Sequence, residues 1–116
     1  KPNTMEFALT IKEVERISEH LKQPLYKASL QLLLCEALLE TEPFRAQHIH
    51  STVDIAMIES METATANRLV ARWWALRAFL EPQQKVPSIR EAILRFRLSG
   101  CPNRARTLSK QLHQSI

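Results

Sequence analysis

The side chains able to do chemistry in this chain are few and scattered. His48 and His50 form an H-x-H pair, Cys35 and Cys101 are the only thiols, and Glu36 and Glu40 stand one helical turn apart. Residues two apart on a helix diverge by about 200°, so this histidine pair chelates one ion only if the segment is extended. No cysteine or carboxylate lies beside it at zinc-like spacing. His48 and His50 therefore read as loop histidines, and His20 and His113 as isolated surface ones. Glu36 and Glu40 lack the histidine at helical spacing that a di-metal carboxylate bundle needs. They read as solvated surface glutamates. No serine sits in a nucleophile turn, and no phosphate loop, dinucleotide fingerprint or H-E-x-x-H helix is present. The expectation is a non-enzyme with no cofactor and no metal site.

The basic side chains are more telling. Residues 1–42 carry five basic and seven acidic groups, net −2, and residues 43–84 carry four of each. Residues 85–116 carry seven basic and one acidic group, net +6. The charge of +4 is thus a basic C-terminal third on a nearly neutral body. Such asymmetry fits an acidic partner, either a protein surface or nucleic acid, and equally an ordinary solvated face. Arg90 and Arg97 lie two turns apart on one side of a helix, and the apolar Ile89, Ile93 and Phe96 define another. Arg106, Lys110 and His113 share one face of a last helix, with Ala105, Leu108 and Leu112 on the other. Arg104 adds a further cation. Trp73 and Trp74 are adjacent and diverge by about 100°, so one enters the core and the other, Trp74, faces a domain edge or a partner. Trp74, Arg90, Arg97, Arg104, Arg106 and Lys110 are the candidate partner-binding residues.

Residues 52–71 carry a second possibility, the spacing of a helix-turn-helix. Ile55-Ala56 suit the contact between its helices, and Ser60-Met61 fall at the turn, where glycine is commonest. Thr63, Thr65, Asn67 and Arg68 would then face DNA, with Thr52 and Arg72 on phosphate. Against this, Glu59 stands at a usually apolar position. The second helix is also small or apolar on two sides. Ala66, Leu69, Val70, Trp73, Leu76 and Leu80 lie along one side, and Ala64, Ala71, Ala75 and Ala78 along the other. A helix of that kind is buried between neighbours.

The elements that must position these residues are helices. The chain has one glycine, Gly100, where an average domain of its length has about eight. Hairpin turns and phosphate-wrapping loops need φ > 0 and so lack their usual residue. Apolar residues make up 45% of the sequence, enough for a buried core. The longest apolar run, Leu32 to Cys35, is far too short to span a bilayer. Cys35 in that run packs as a small apolar residue, while Cys101, after Gly100, is more exposed. The thiols are expected to be reduced and the chain intracellular, cytoplasmic or nuclear. Lys1–Thr4 precede Met5, which suits either a natural start at Met5 or a piece of a longer protein.

Thr10-Ile11-Lys12-Glu13 and Ser88-Ile89-Arg90-Glu91 match capping boxes and predict helix starts. Met5, Phe7 and Leu9 alternate ahead of the first and suggest a short strand or extended arm. Pro24 opens a helix over 24–40, apolar around most of its circumference and hence central. Phe44–His50 suits a short helical turn, and Ser51–Asp54 a helix start running to Met61. Thr63 begins the other central helix, 63–80, unless residues 51–80 form one bent helix. Glu81–Pro87 reads as a loop. Gly100 closes a helix, and Pro102 opens the last. The fold expected is a single all-α domain over residues 1–116, a bundle of five or six helices with a basic helical pair at 85–116. The function expected is a protein–protein interaction module, an adaptor, chaperone or complex subunit that forms oligomers. The alternative is a helix-turn-helix DNA-binding regulator.

Overall fold

The computed structural model describes residues 4–115, with side chains from Ile11 to Gln114. Every regular element within them is helical: α1 Thr4–His20, α2 Pro24–Leu38, α3 Pro43–Thr52, α4 Ile55–Met61, α5 Ala64–Leu80, α6 Lys85–Leu98 and α7 Pro102–Ser115, with one 3-10 turn at Pro82–Gln84. The all-α expectation stands, with seven α-helices described instead of five or six. Residues 51–80 are two helices and the end of a third, not one bent helix.

Local chemistry explains most boundaries. Gln23 caps α2, its side chain accepting from the Tyr26 N–H at 2.8 Å, and Pro24 takes the first helical position. Asp54 caps α4 through the Met57 N–H, and the Thr63 hydroxyl caps α5 through the Ala66 N–H at 3.1 Å. Gly100 closes α6 at φ 76°, with the Cys101 N–H donating to the Phe96 carbonyl and the Gly100 N–H to the Arg97 carbonyl. These two bonds are the double closure of a Schellman motif.

Four expectations are corrected. α1 starts at Thr4, so Thr10 lies within a helix and the preceding residues are not an extended arm. Glu6, Ala8 and Leu9 are good helix formers and carry the helix through the apparent box. α6 starts at Lys85, not Ser88, and the Ser88 hydroxyl is buried without a hydrogen-bond partner. Pro87 fits there because the first turn of a helix needs no N–H donor. Residues 43–52 form a full ten-residue helix, so Ser51 and Thr52 end α3 and do not begin α4. His50 accordingly is no loop histidine: it is buried.

Two apolar cores result, and α5 is the wall between them. The first gathers Ile11, Leu32, Leu34, Cys35, Leu38, Ile58 and, from α5, Ala66, Leu69, Val70 and Leu76. The second gathers Ile89, Ile93, Phe96, Ala105 and Leu112 against Ala71 and Ala78. The alanines let α6 lie close along α5, its most extensive packing partner. Across the first core, α3 is clamped to α5 by His50. Its ring stacks on Trp73 with centroids 4.3 Å apart and planes 18° apart. The His50 Nε2–H donates to the Trp73 carbonyl at 2.9 Å, and the Trp73 Nε1–H donates back to the His50 carbonyl at 3.2 Å.

Ala71 is fully buried on the α6 side. Ala71→Leu is expected to cost about 1–3 kcal/mol by overpacking, read as a lower denaturation midpoint. Ala56→Leu, on the exposed face of α4, should leave the midpoint nearly unchanged. An unmoved midpoint in Ala71→Leu would contradict the close α5–α6 contact.

Candidate functional site

α5 has one strip that neither core covers. Thr65, Arg68, Arg72 and Phe79 fall within about 60° of one another around its axis. α2 flanks this strip on one side and α6 and α7 on the other. α2 and α7 stay apart above it, which leaves an apolar groove of about 470 Å³. Its walls are Leu39 just past the end of α2, Ala75, Leu76 and Phe79 from α5, Phe96 from α6 and Leu108 from α7, with Asn103, Arg104 and Thr107 along the α7 lip. Phe79 is 65% exposed and borders three adjoining hollows. One runs along α7 past Lys85, and another reaches Phe44, which is 86% exposed. Contiguous exposure of this kind is uncommon on a monomer without a use for it.

The charges around the groove are unevenly spent. Arg72 is held by Glu36, its Nε and Nη2 both donating to one carboxylate oxygen at 3.3 and 3.2 Å. Arg104 lies 5.7 Å from the Phe96 ring centre, and neither it nor Lys85 has an ion-pair partner among the described residues. The rim is therefore basic on the α7 side.

The residues expected to meet a partner are divided by the fold. Arg90, Arg97, Arg104, Arg106 and Lys110 are all exposed, on α6 and α7, and only Arg104 lines the groove. Trp74 is half-buried against the first core, edge-on to Trp73 at 5.0 Å and beneath the Arg77 guanidinium at 5.2 Å. Its indole N–H is buried without a partner. The groove itself was not anticipated. Its one signal in the sequence is Phe79, a lone aromatic on the strip that otherwise carries Thr65, Arg68 and Arg72.

The helix-turn-helix residues are divided too. Thr63, Thr65 and Arg68 are exposed at the start of α5. Asn67 is half-buried and accepts from Arg95 at 3.1 Å, and Arg72 is bound to Glu36. Thr52 is engaged with Gln31 and the Ile49 carbonyl. Glu59, at the position expected to be apolar, is paired with Arg95 at 3.8 Å. Ala56 is exposed, and Ile58 is buried in its stead. The left-handed turn residue is Glu62, at φ 54°, not Ser60. Burial did not remove these first turns from reach, but Thr63 is also engaged, as the cap of α5, so bonding leaves only Thr65 and Arg68 of the six candidates uncommitted among the described residues.

A separate polar hollow of about 450 Å³ lies between α1, α2 and α3, lined by Glu15, Glu19, Lys27, Arg45 and His48. Within it Arg45 bonds to Glu15. His48 faces outward while His50, two residues on, is buried, so the H-x-H pair is split as helical geometry requires. The thiol of Cys35 is fully buried and pushed up to about 11 by desolvation and by Glu36, which makes it a packing group.

Burial holds the His50 imidazole below its ordinary value of 6.5, against the opposing pull of the Trp73 carbonyl and Glu81. The unfolded chain therefore binds the extra proton first. The stabilisation is complete above pH 6.5 and is lost as the pH falls towards the folded value. Below pH 6.5 the loss should reach at most about 1.4 kcal/mol per pH unit, read as a falling unfolding midpoint. His50→Gln should be less stable at neutral pH with a flatter slope down to about pH 5; a wild-type slope in that variant would remove His50 as the source. In comparisons with known proteins, no family model, curated protein or solved structure matches the chain.

Proposed function

We infer that this protein is a non-enzymatic interaction module whose groove on α5 receives an apolar helix flanked by carboxylates. The observation that carries this reading is the exposed apolar floor around Phe79, rimmed by the uncommitted cations Arg104 and Lys85. A groove between helices takes an amphipathic helix through apolar anchors spaced i, i+3/i+4, i+7. The basic lip selects among such helices by charge, mainly through the rate of encounter. Arg106 and Lys110, further round α7, extend the same positive field. Adaptor, chaperone and complex-subunit roles all use a surface of this kind.

Amphipathic helical peptides with acidic or basic polar faces provide the test, with fluorescence polarisation as the readout. The acidic set should bind, weaken with salt, and lose at least about tenfold in affinity with Phe79→Asp or Arg104→Glu. Failure of every peptide to bind the wild type, or equal binding of acidic and basic sets, would overturn the reading.

DNA binding is the second reading, favoured by the exposure of Thr63, Thr65 and Arg68 at the start of α5. The carboxylates of Glu59 and Glu62 beside them weaken it. On that reading, duplex affinity falls steeply with salt, and Arg68→Ala weakens it across sequences. No shift of pooled duplex at low salt would end it.

A further inference from the structure

We propose that the helix filling the groove is α2 of a second copy of this chain, in a two-fold symmetric dimer. The proposal rests on the groove reading above and names its occupant. α2 turns Leu32, Cys35 and Leu38 into the core, yet its opposite face is not polar. Tyr26, Leu30, Leu33 and Ala37 lie within about 60° of one another on that outer face. Tyr26 is 67% and Leu33 50% exposed. A surface helix ordinarily turns charged residues outward, and one apolar all round is ordinarily covered. Among the described residues, Tyr26, Leu33 and Ala37 of this face stay exposed and Leu30 is half-buried.

The chain thus presents both halves of one contact, an uncovered apolar helix face and an apolar groove. They adjoin each other, because α2 is also a wall of the groove, through Glu36 and Leu39. Self-complementary patches side by side are what a two-fold interface requires, since each copy must give and receive the same contact. Charge agrees. Glu40 stands just past the exposed face of α2 and has no ion pair among the described residues, whereas Arg104 and Lys85 line the receiving side. α2 itself carries one cation and one carboxylate, Lys27 and Glu36, and Glu36 is held by Arg72, so Glu40 is the carboxylate that the basic receiving side attracts.

The test is the oligomeric state of the whole chain, by sedimentation or light scattering up to about 100 µM, well above the dissociation constant of an interface of ordinary size. The wild type should be a dimer. Leu33→Glu, which spoils the donated face, and Phe79→Glu, which spoils the groove, should each raise the dissociation constant at least about tenfold with the helical circular dichroism unchanged. Tyr26→Glu replaces Leu33→Glu if the latter unfolds. Mixing the Leu33→Glu and Phe79→Glu proteins should yield more dimer than either alone, because one undamaged helix-in-groove contact is rebuilt. A wild type that stays monomeric overturns the proposal, and if acidic peptides still bind, the groove reading survives without it. A dimer insensitive to both Leu33→Glu and Tyr26→Glu, or no gain on mixing, overturns it equally.

Discussion

The rest of the structure depends on α5 serving two cores at once. One side of it carries Leu69, Val70 and Leu76 into the core it shares with α2, α3 and α4. The other must be nearly bare, because α6 lies along Ala71 and Ala78. Side chains in cores pack to crystal density, so neither face tolerates the residues of the other. The two arrangements leave a single strip of α5 to solvent. Everything proposed about function starts from that strip.

The groove follows from a contact that is not made. α2 rests on one flank of α5, and α7 rests on α6, so the two approach the strip from opposite sides without meeting. Phe79, Leu39 and Leu108 are left with apolar surface in water, at a cost of about 25 cal/mol for each Å² left uncovered. Arg72 and Glu36 tie α5 to α2 across part of the gap, Arg104 stands on the α7 lip, and Lys85, at the start of α6, borders the adjoining hollow. Of the basic C-terminal third, Arg104 reaches the groove, while Arg90 and Arg97 do not line it.

Much of the fold was legible because helix signals are local. Pro24, Thr63, Gly100 and Pro102 stand where the chain's own φ preferences and spare N–H groups place boundaries, and the structure uses all four. The two faces of α5 were likewise readable from spacing. The misreadings were local rules met out of context. Thr10 and Ser88 match capping boxes inside longer helices: Leu9 carries α1 through the first, and Pro87, in the first turn of α6, needs no N–H donor there. His50 read as a loop residue because its partner, Trp73, lies 23 positions away.

The sequence by itself determined that this chain is helical, where most of its helices begin and end, which faces of them are apolar, and that its positive charge is concentrated after residue 84. These are properties of windows a few turns long, within which spacing and composition act directly. Only the tertiary structure decided that Phe79 is exposed, that Asn67 and Arg72 are committed to other side chains, and that α2 keeps an uncovered apolar face. Each of those depends on which helices touch and which do not. An apolar face reads the same in sequence whether a neighbour covers it or water does.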